Sequence, residues 1–453
     1  MKPGSPYSGL LTDLYELTMA AGYFEADFQG KATFELFARS LPKRRNFLVA
    51  AGLEQCVEYL EHIQFTDDDI RYLRGHRDFW GLDDAFFDYL ARFRFSGDVW
   101  AMPEGTICFP DEPLLRITAP IIEAQIVETY LLSSMSFQTL IASKAARATL
   151  AAQGRGVMEF GTRRAHGPES GVLAARAAFI GGCRGTSNVA AGYRFGIPTF
   201  GTQAHSWIMA HEDEEEAFRQ FLDIFPDNSV LLLDTYEVRA AVEKIIAIRR
   251  KPHGVRLDSG DLAADSKWIR RRLDEVGWSD VQIFASGDLD EDRIESLVAS
   301  GAKIDAFGVG TALSTSLDAP ALGVIYKLVE VAADGTVRNS AKFSKAKITY
   351  PGRKQVFRRL DSRGRFVEDI IALEDEHIAG ALPLLESVMK AGGRTAPSPH
   401  LTEAQARCLL QVAGLPEGLR RLAQAPAYAV QHSERLEELL SEVRRRVDKA
   451  ARI

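Results

Sequence analysis

Five short segments of this 453-residue chain end an apolar run in residues that can bind or transfer phosphate. "MEFGTRR" carries Phe160, Arg163 and Arg164, "FGTQAH" carries Thr202 and His205, and "RLDSGD" carries Arg256, Asp258 and Asp261. "ASGD" supplies Ser286, Gly287 and Asp288, and "GVGT" supplies Gly308, Gly310 and Thr311. Guanidinium forks and glycine N–H groups bind phosphate oxygens, while carboxylates hold Mg2+ or ribose hydroxyls. A neutral imidazole, with an ordinary pKa near ~6.5, is a nucleophile at neutral pH.

Taken singly, each residue has a plainer reading. An Asp after a strand caps a helix, and a Gly-x-Gly makes a tight turn. His205 is a hydrogen-bonded structural histidine, a metal ligand or a nucleophile; no second His or Cys stands at ligand spacing, which disfavours the metal. Asp261 and Asp288 are the candidate Mg2+ carboxylates, with helix capping as their alternative. If all five clusters share one mouth, the natural substrate class is a phosphorylated sugar. The acidic run "HEDEEEAF" fits the first turn of a helix, where carboxylates complement the positive end and stay solvated.

The elements that must position these residues are strands and helices in alternation between about residues 131 and 330. Apolar runs recur at "GVMEFG", "IPTFG", "SVLLLDTY", "GVRLDSGD", "VQIFASGD", "IDAFGVGT" and "LGVIYKLV". Helical stretches such as "YEVRAAVEKIIAIRR" and "DEDRIESLVASG" lie between most of them. Strand, helix and strand in repetition predict parallel strands covered on both faces. Seven candidate strands with polar C-terminal tails predict an α/β barrel, complete or incomplete, with its site at the C-terminal ends. The fold class expected is α/β: this barrel-like catalytic domain over 131–330, plus a split N-terminal α/β domain over 1–130. Strands from about 331–370 return to the N-terminal domain, and 371–453 forms a C-terminal helical extension. Near the start, "LLTDLYELTMAAGYF" predicts a helix with Asp13 and Glu16 spaced as a capping box and Leu11, Leu14 and Leu17 on its apolar face.

Composition narrows the class. Hydrophobic residues make up 46% and charged residues 26%, an ordinary globular balance. With 62 acidic against 55 basic residues and a formal charge of −7, nucleic acid is not the expected partner. Four scattered cysteines without a CxxC pair argue against disulfides and structural zinc. No signal-peptide layout opens the chain and no long apolar run suits a membrane, so a cytoplasmic protein is expected. GxxxxGK[ST], HExxH and GxSxG are absent, as is a GxGxxG after a first strand. Lys327 could form a Schiff base in an aldolase-type barrel, or simply pair with a carboxylate.

Nearly the whole chain, from "LLTDLYELTMAAGYF" through "FLVAAGLEQ", "EFGTRRAHGPESG", "GTSNVAAG", "GTQAHSW", "VRLDSGDL" and "GVGTALSTS" to "GVIYKLVE", resembles the nicotinate phosphoribosyltransferases of the type II phosphoribosyltransferase family. The resemblance implies joining of nicotinate to phosphoribosyl pyrophosphate, giving nicotinate mononucleotide and pyrophosphate, coupled to ATP hydrolysis. It implies that His205 is phosphorylated by ATP during turnover. Tyr15 and Phe160 match aromatics that sandwich the pyridine ring, the tyrosine coming from the partner subunit of a homodimer. Arg256 and Thr202 match nicotinate contacts, and Thr311 matches a phosphoribosyl pyrophosphate contact. Beside it, the residues themselves put Arg163, Arg164 and Mg2+ on the departing pyrophosphate, and Asp258 on Arg256 or the ribose hydroxyls. Rival readings are a nicotinamide or quinolinate phosphoribosyltransferase on the same scaffold, or a non-catalytic phosphoribosyl-binding protein.

Overall fold

The computed structural model describes residues 5–344 and 347–450. The chain folds as two compact units: one from the chain up to Thr139, Ala321–Leu419 and the chain from Gln424 onward, the other from Leu140–Pro320 with Arg420–Ala423.

The Leu140–Pro320 unit carries a six-stranded parallel sheet. Its strands lie side by side in the order Gly185–Thr186, Gly156–Glu159, Ala306–Val309, Gln282–Ala285, Gly254–Leu257 and Val230–Leu232. The runs are buried almost throughout, as expected when both faces are covered. Helices Val238–Ile248, Leu262–Glu275 and Glu291–Ala299 connect the later strands at the predicted places.

Two of the expected strands are corrected. "IPTFG" makes only a bridge, Thr199 to Thr186, because Pro198 has no N–H to continue a ladder. Phe200 N–H nevertheless reaches Thr186 O (2.9 Å) and Gln203 N–H reaches Val230 O (3.3 Å), so this segment touches both edge strands. A closed barrel ladder is not formed: the sheet keeps Gly185–Thr186 and Val230–Leu232 as its edges.

"LGVIYKLV" is not a parallel strand at all. It opens Val324–Ala333, which pairs antiparallel with Lys31–Ala38 in the other unit's seven-stranded sheet. Pro113–Pro120, Asp98–Ala101 and Glu386–Lys390 continue that sheet. A second sheet joins Ala381–Pro383, Lys354–Leu360, Phe366–Leu373 and Val430–His432. The stretch after 370 is therefore not purely helical: its helices Leu401–Gly414 and Glu434–Ala450 share it with strands.

Helix Leu14–Glu25 begins where expected, but the capping box is absent. Asp13 makes no side-chain cap bond, and Glu16 instead accepts from Thr129 Oγ1 (2.6 Å) and Thr12 Oγ1, with Thr129 Oγ1 also 3.2 Å from Asp13. Leu17 is buried, whereas Leu11 and Leu14 are 44% and 43% exposed. Among the described residues no helix is long and apolar enough to cross a membrane.

Candidate active site

The C-terminal ends of the parallel strands bring most of the chemistry-bearing residues together. Phe160, Arg163 and Arg164 follow Gly156–Glu159, and Arg256 and Asp258 lie in and after Gly254–Leu257. Ser286, Gly287 and Asp288 follow Gln282–Ala285; Gly308 lies within Ala306–Val309 and Gly310 and Thr311 follow it. All line one cavity of about 440 Å3. A second cavity of about 370 Å3 shares Phe160, Arg256, Ser286 and Gly308 with it and adds Thr202.

Arg256 is the hub. Its Nε donates to Ser286 Oγ (2.7 Å), Nη1 to Thr202 Oγ1 (2.7 Å) and Gln203 O (3.4 Å), and Nη2 to Asp258 Oδ1. One Nη2 N–H is left over. Ser286 Oγ also donates to Asp258 Oδ1 (2.5 Å). Burial alone would push the Asp258 carboxyl up; Ser286, Arg256 and His205 outweigh it and hold it below the ordinary value. His205 Nε2 stands 4.0 Å from Asp258 Oδ2, and its Nδ1 is 3.1 Å from Thr235 Oγ1. Thr202, Arg256, Asp258, His205 and Thr235 thus form one chain of polar contacts.

Two glycines are needed for this geometry. A Cβ on Gly287, at φ +86°, would lie 1.7 Å from the Asp258 carbonyl oxygen. A Cβ on Gly308 would lie 2.5 Å from the Phe160 ring, so only glycine lets that ring lie against the strand.

Sequence reasoning missed several members. Asp234 accepts from Asp258 N–H (2.9 Å) and Ser259 Oγ (2.6 Å), fixing the turn that carries Asp258. Its other oxygen, Oδ1, is buried without a hydrogen-bond partner. Glu159, fully buried, accepts from Thr186 Oγ1 (2.6 Å) and Gly161 N–H and so anchors the turn that leads to Arg163 and Arg164. Burial raises its carboxyl, against the pull of those two donors. Arg293, near the start of Glu291–Ala299, also lines the larger cavity. Only the "ASGD" turn preceding that helix pointed toward it.

Other candidates lie outside this group. Asp261 is the N-cap of Leu262–Glu275, accepting from Ala264 N–H (3.0 Å), so the capping alternative describes it. Glu214, in the acidic run, is buried and paired with Lys244 (3.1 Å) rather than solvated. Lys327 sits opposite Glu35 in the antiparallel sheet, and its charge opposes the burial that raises Glu128. Tyr15, 47% exposed, belongs to the antiparallel unit; burial and then Glu128 and Glu16 push its phenol above the ordinary value.

No group of three or more His, Cys, Asp or Glu at ligand spacing occurs among the described residues. Mg2+ is often held by one or two carboxylates together with substrate phosphates, a smaller demand. Asp288, on the cavity wall, and the unpartnered Asp234 Oδ1 fit that demand; Asp261, occupied by its cap, fits it less well.

Arginines and glycine turns around one cavity, beside an arginine–aspartate–histidine chain at parallel strand ends, define an α/β protein that handles phosphate esters. Comparison with known proteins sharpens the class. Residues 10–136 match the nicotinate phosphoribosyltransferase N-terminal domain, 156–370 the nicotinate phosphoribosyltransferase family, and 379–440 its C-terminal domain. A nicotinate phosphoribosyltransferase of Mycobacterium tuberculosis is 46% identical over 443 residues, covering 96% of this chain and 94% of that protein. One from Bacillus subtilis is 43% identical over 380 residues, covering 82% and 77%. The crystal structure of human nicotinic acid phosphoribosyltransferase superposes with a TM-score of 0.83 at 30% identity, covering 96% of this chain and 99% of that one. The chain belongs to the nicotinate phosphoribosyltransferase family.

Proposed function

We propose that this enzyme joins nicotinate to phosphoribosyl pyrophosphate, releasing pyrophosphate and forming nicotinate mononucleotide for NAD biosynthesis, with ATP as co-substrate. The observation that carries the reading is Arg256, which lines both cavities and keeps one guanidinium N–H uncommitted for the substrate carboxylate. The charge of an acid suits that guanidinium N–H better than a neutral amide does. Phe160 stacks on the pyridine ring, contributing about 1 kcal/mol to its placement. Arg163, Arg164, Gly310 and Thr311 take the phosphates, with Ser286, Gly287 and Gly308 shaping the floor. Positive charge grows on the ribose as its bond to pyrophosphate breaks, and the arginines neutralise the leaving group. Mg2+, when bound, supplies further neutralisation, with Asp288 and Asp234 the residues that would hold it.

His205 is the nucleophile toward ATP. Asp258 favours a proton on Nε2, which leaves Nδ1 as the attacking atom once the Thr235 hydroxyl turns aside. The N–P bond forms as the γ-phosphorus bond to the bridging oxygen breaks and ADP departs; later hydrolysis releases phosphate. The parallel unit is read as an incomplete barrel and the catalytic domain, supported by the Thr199 and Gln203 contacts that link its edge strands. Exposure of Tyr15 with Leu11 and Leu14 supports a homodimer in which Tyr15 stacks in the site of the second copy. The four buried cysteines suit a cytoplasmic protein.

The test is turnover of nicotinate, phosphoribosyl pyrophosphate, Mg2+ and ATP with each omitted in turn; faster turnover of the amide than the acid would overturn the substrate. His205→Ala is expected to abolish ATP hydrolysis and leave at most slow, uncoupled transfer. Continued hydrolysis with acid-labile protein phosphorylation would move the nucleophile elsewhere.

A further inference from the structure

At the opposite ends of the same strands, the loops entering the sheet line another cavity, open to solvent and of about 580 Å3. Arg155 precedes the Gly156–Glu159 strand, Arg184 precedes Gly185–Thr186, Lys303 precedes Ala306–Val309, and Arg270 comes from helix Leu262–Glu275. The wall's one carboxylate, Asp305, spends Oδ2 on Ile283 N–H (2.8 Å).

The arginines are tied down by backbone carbonyls. Arg155 donates from Nε to Ile304 O (3.0 Å) and from Nη1 to Ala152 O (3.4 Å), and Arg184 donates from Nη2 to Gly154 O (3.0 Å). Arg270 donates to Val281 O and Trp278 O, both at 2.7 Å, and from Nε to Asp274 Oδ1 (2.9 Å), an ion pair that takes up its charge. These anchors fix the guanidinium planes yet leave Arg155 Nη2 and Arg184 Nε and Nη1 unspent. Lys303 Nζ has no hydrogen-bond or ion-pair partner among the described residues. Arg155, Arg184 and Lys303, which have no carboxylate partner among the described residues, focus a positive potential around one concavity, and fixed forks bind phosphate with little ordering cost. Arg184 also lines the 370 Å3 cavity that holds Phe160, Thr202 and Arg256.

We propose that this rear cavity is a second anion site, separate from the catalytic one, for a small phosphate-bearing molecule, and that Arg184 places its occupant one residue away from the 370 Å3 cavity. Phosphate free in solution and phosphate on a sugar offer the same chemistry here. Calorimetric titration on the full chain, with the catalytic cavity filled by saturating phosphoribosyl pyrophosphate, separates them: one arm uses inorganic phosphate, the other ribose 5-phosphate. Saturable binding is expected to persist in at least one arm. Lys303→Glu should weaken it about tenfold or more, Lys303→Arg should keep it, and both variants should retain wild-type kcat without added phosphate. No residual binding in either arm, or equal affinity in folded Lys303→Glu, overturns the proposal. The filling step rests on the proposed function. If phosphoribosyl pyrophosphate itself fails to bind, that reading falls, and the contrast between wild type and Lys303→Glu still decides this one.

Discussion

Two arginine–aspartate pairs show how the two units use the same chemistry. In the antiparallel unit Arg358 and Asp369 face each other across the strand pair Lys354–Leu360 and Phe366–Leu373, with side chains 3% and 0% exposed. Arg358 donates to both Asp369 oxygens, to Gln411 Oε1 (3.1 Å) and to Ile107 O (2.8 Å), and Tyr428 Oη donates to Asp369 (3.1 Å). In the parallel unit Arg256 and Asp258 are 14% and 27% exposed, two residues apart at a strand end. The first pair is closed, since it is buried and the Phe109 and Phe366 rings lie against its guanidinium. The second opens onto two cavities with an N–H to spare and a histidine beside it. Burial among rings and strands makes an ion pair into structure; partial exposure beside a cavity makes it into a site.

The largest expected effect breaks the first pair. Arg358→Met leaves Asp369 buried and unpaired, which costs about 3–5 kcal/mol of folding free energy. Urea unfolding should show that loss, and adding Asp369→Leu should recover most of it. Arg256→Met should instead leave the unfolding midpoint nearly unchanged while kcat/KM for nicotinate falls by about 10²–10³-fold. Equal destabilisation by the two substitutions would erase the distinction between them.

A buried carboxylate without a cation gives the next effect. Glu16 is fully buried, and burial pushes its pKa up to about 7, with Thr12 and Thr129 hydroxyls pulling the other way. The folded chain therefore keeps a proton that the unfolded chain sheds near 4.5. Stability from this group falls as pH rises from about 4.5 to about 7, by up to about 3 kcal/mol. Glu16→Gln should flatten the difference in unfolding free energy between pH 5 and pH 8. A variant as pH-sensitive as the parent would place the titrating group elsewhere.

The contrast between the two pairs also marks what the amino-acid order could reveal. Polar residues after apolar runs announced the open site, because parallel strands carry their loops to one end: Arg163, Arg256, Gly287 and Thr311 could be picked out from their tails alone. The closed pair could not. Arg358 and Asp369 lie eleven positions apart in ordinary strand sequence, and nothing local says that both are buried. For the same reason "LGVIYKLV" misled, since an apolar run reads alike in a parallel and an antiparallel sheet. Gly185–Thr186 is too short to make a run. Asp234 looked like a strand tail, and its link to the Asp258 turn crosses between neighbouring strands. Asp13 and Glu16 had capping-box spacing, but spacing cannot show that Glu16 accepts from Thr129 and Thr12 instead.

The smallest effect tests whether the open pair is poised by its neighbours. Asp258 stays ionised because Ser286, Arg256 and His205 together outweigh its burial. Ser286→Ala removes one hydroxyl while the Arg256 contact remains, so the carboxyl should move up. A depressed carboxylate acts as an anion only above its folded pKa, so the acid limb of the kcat/KM profile should shift toward higher pH, by less than about one unit. The alkaline limb should not move. A shift of the acid limb to lower pH would mean that the serine holds the protonated form, and that Asp258 reaches His205 as a neutral acid rather than as the anion that steadies its imidazole.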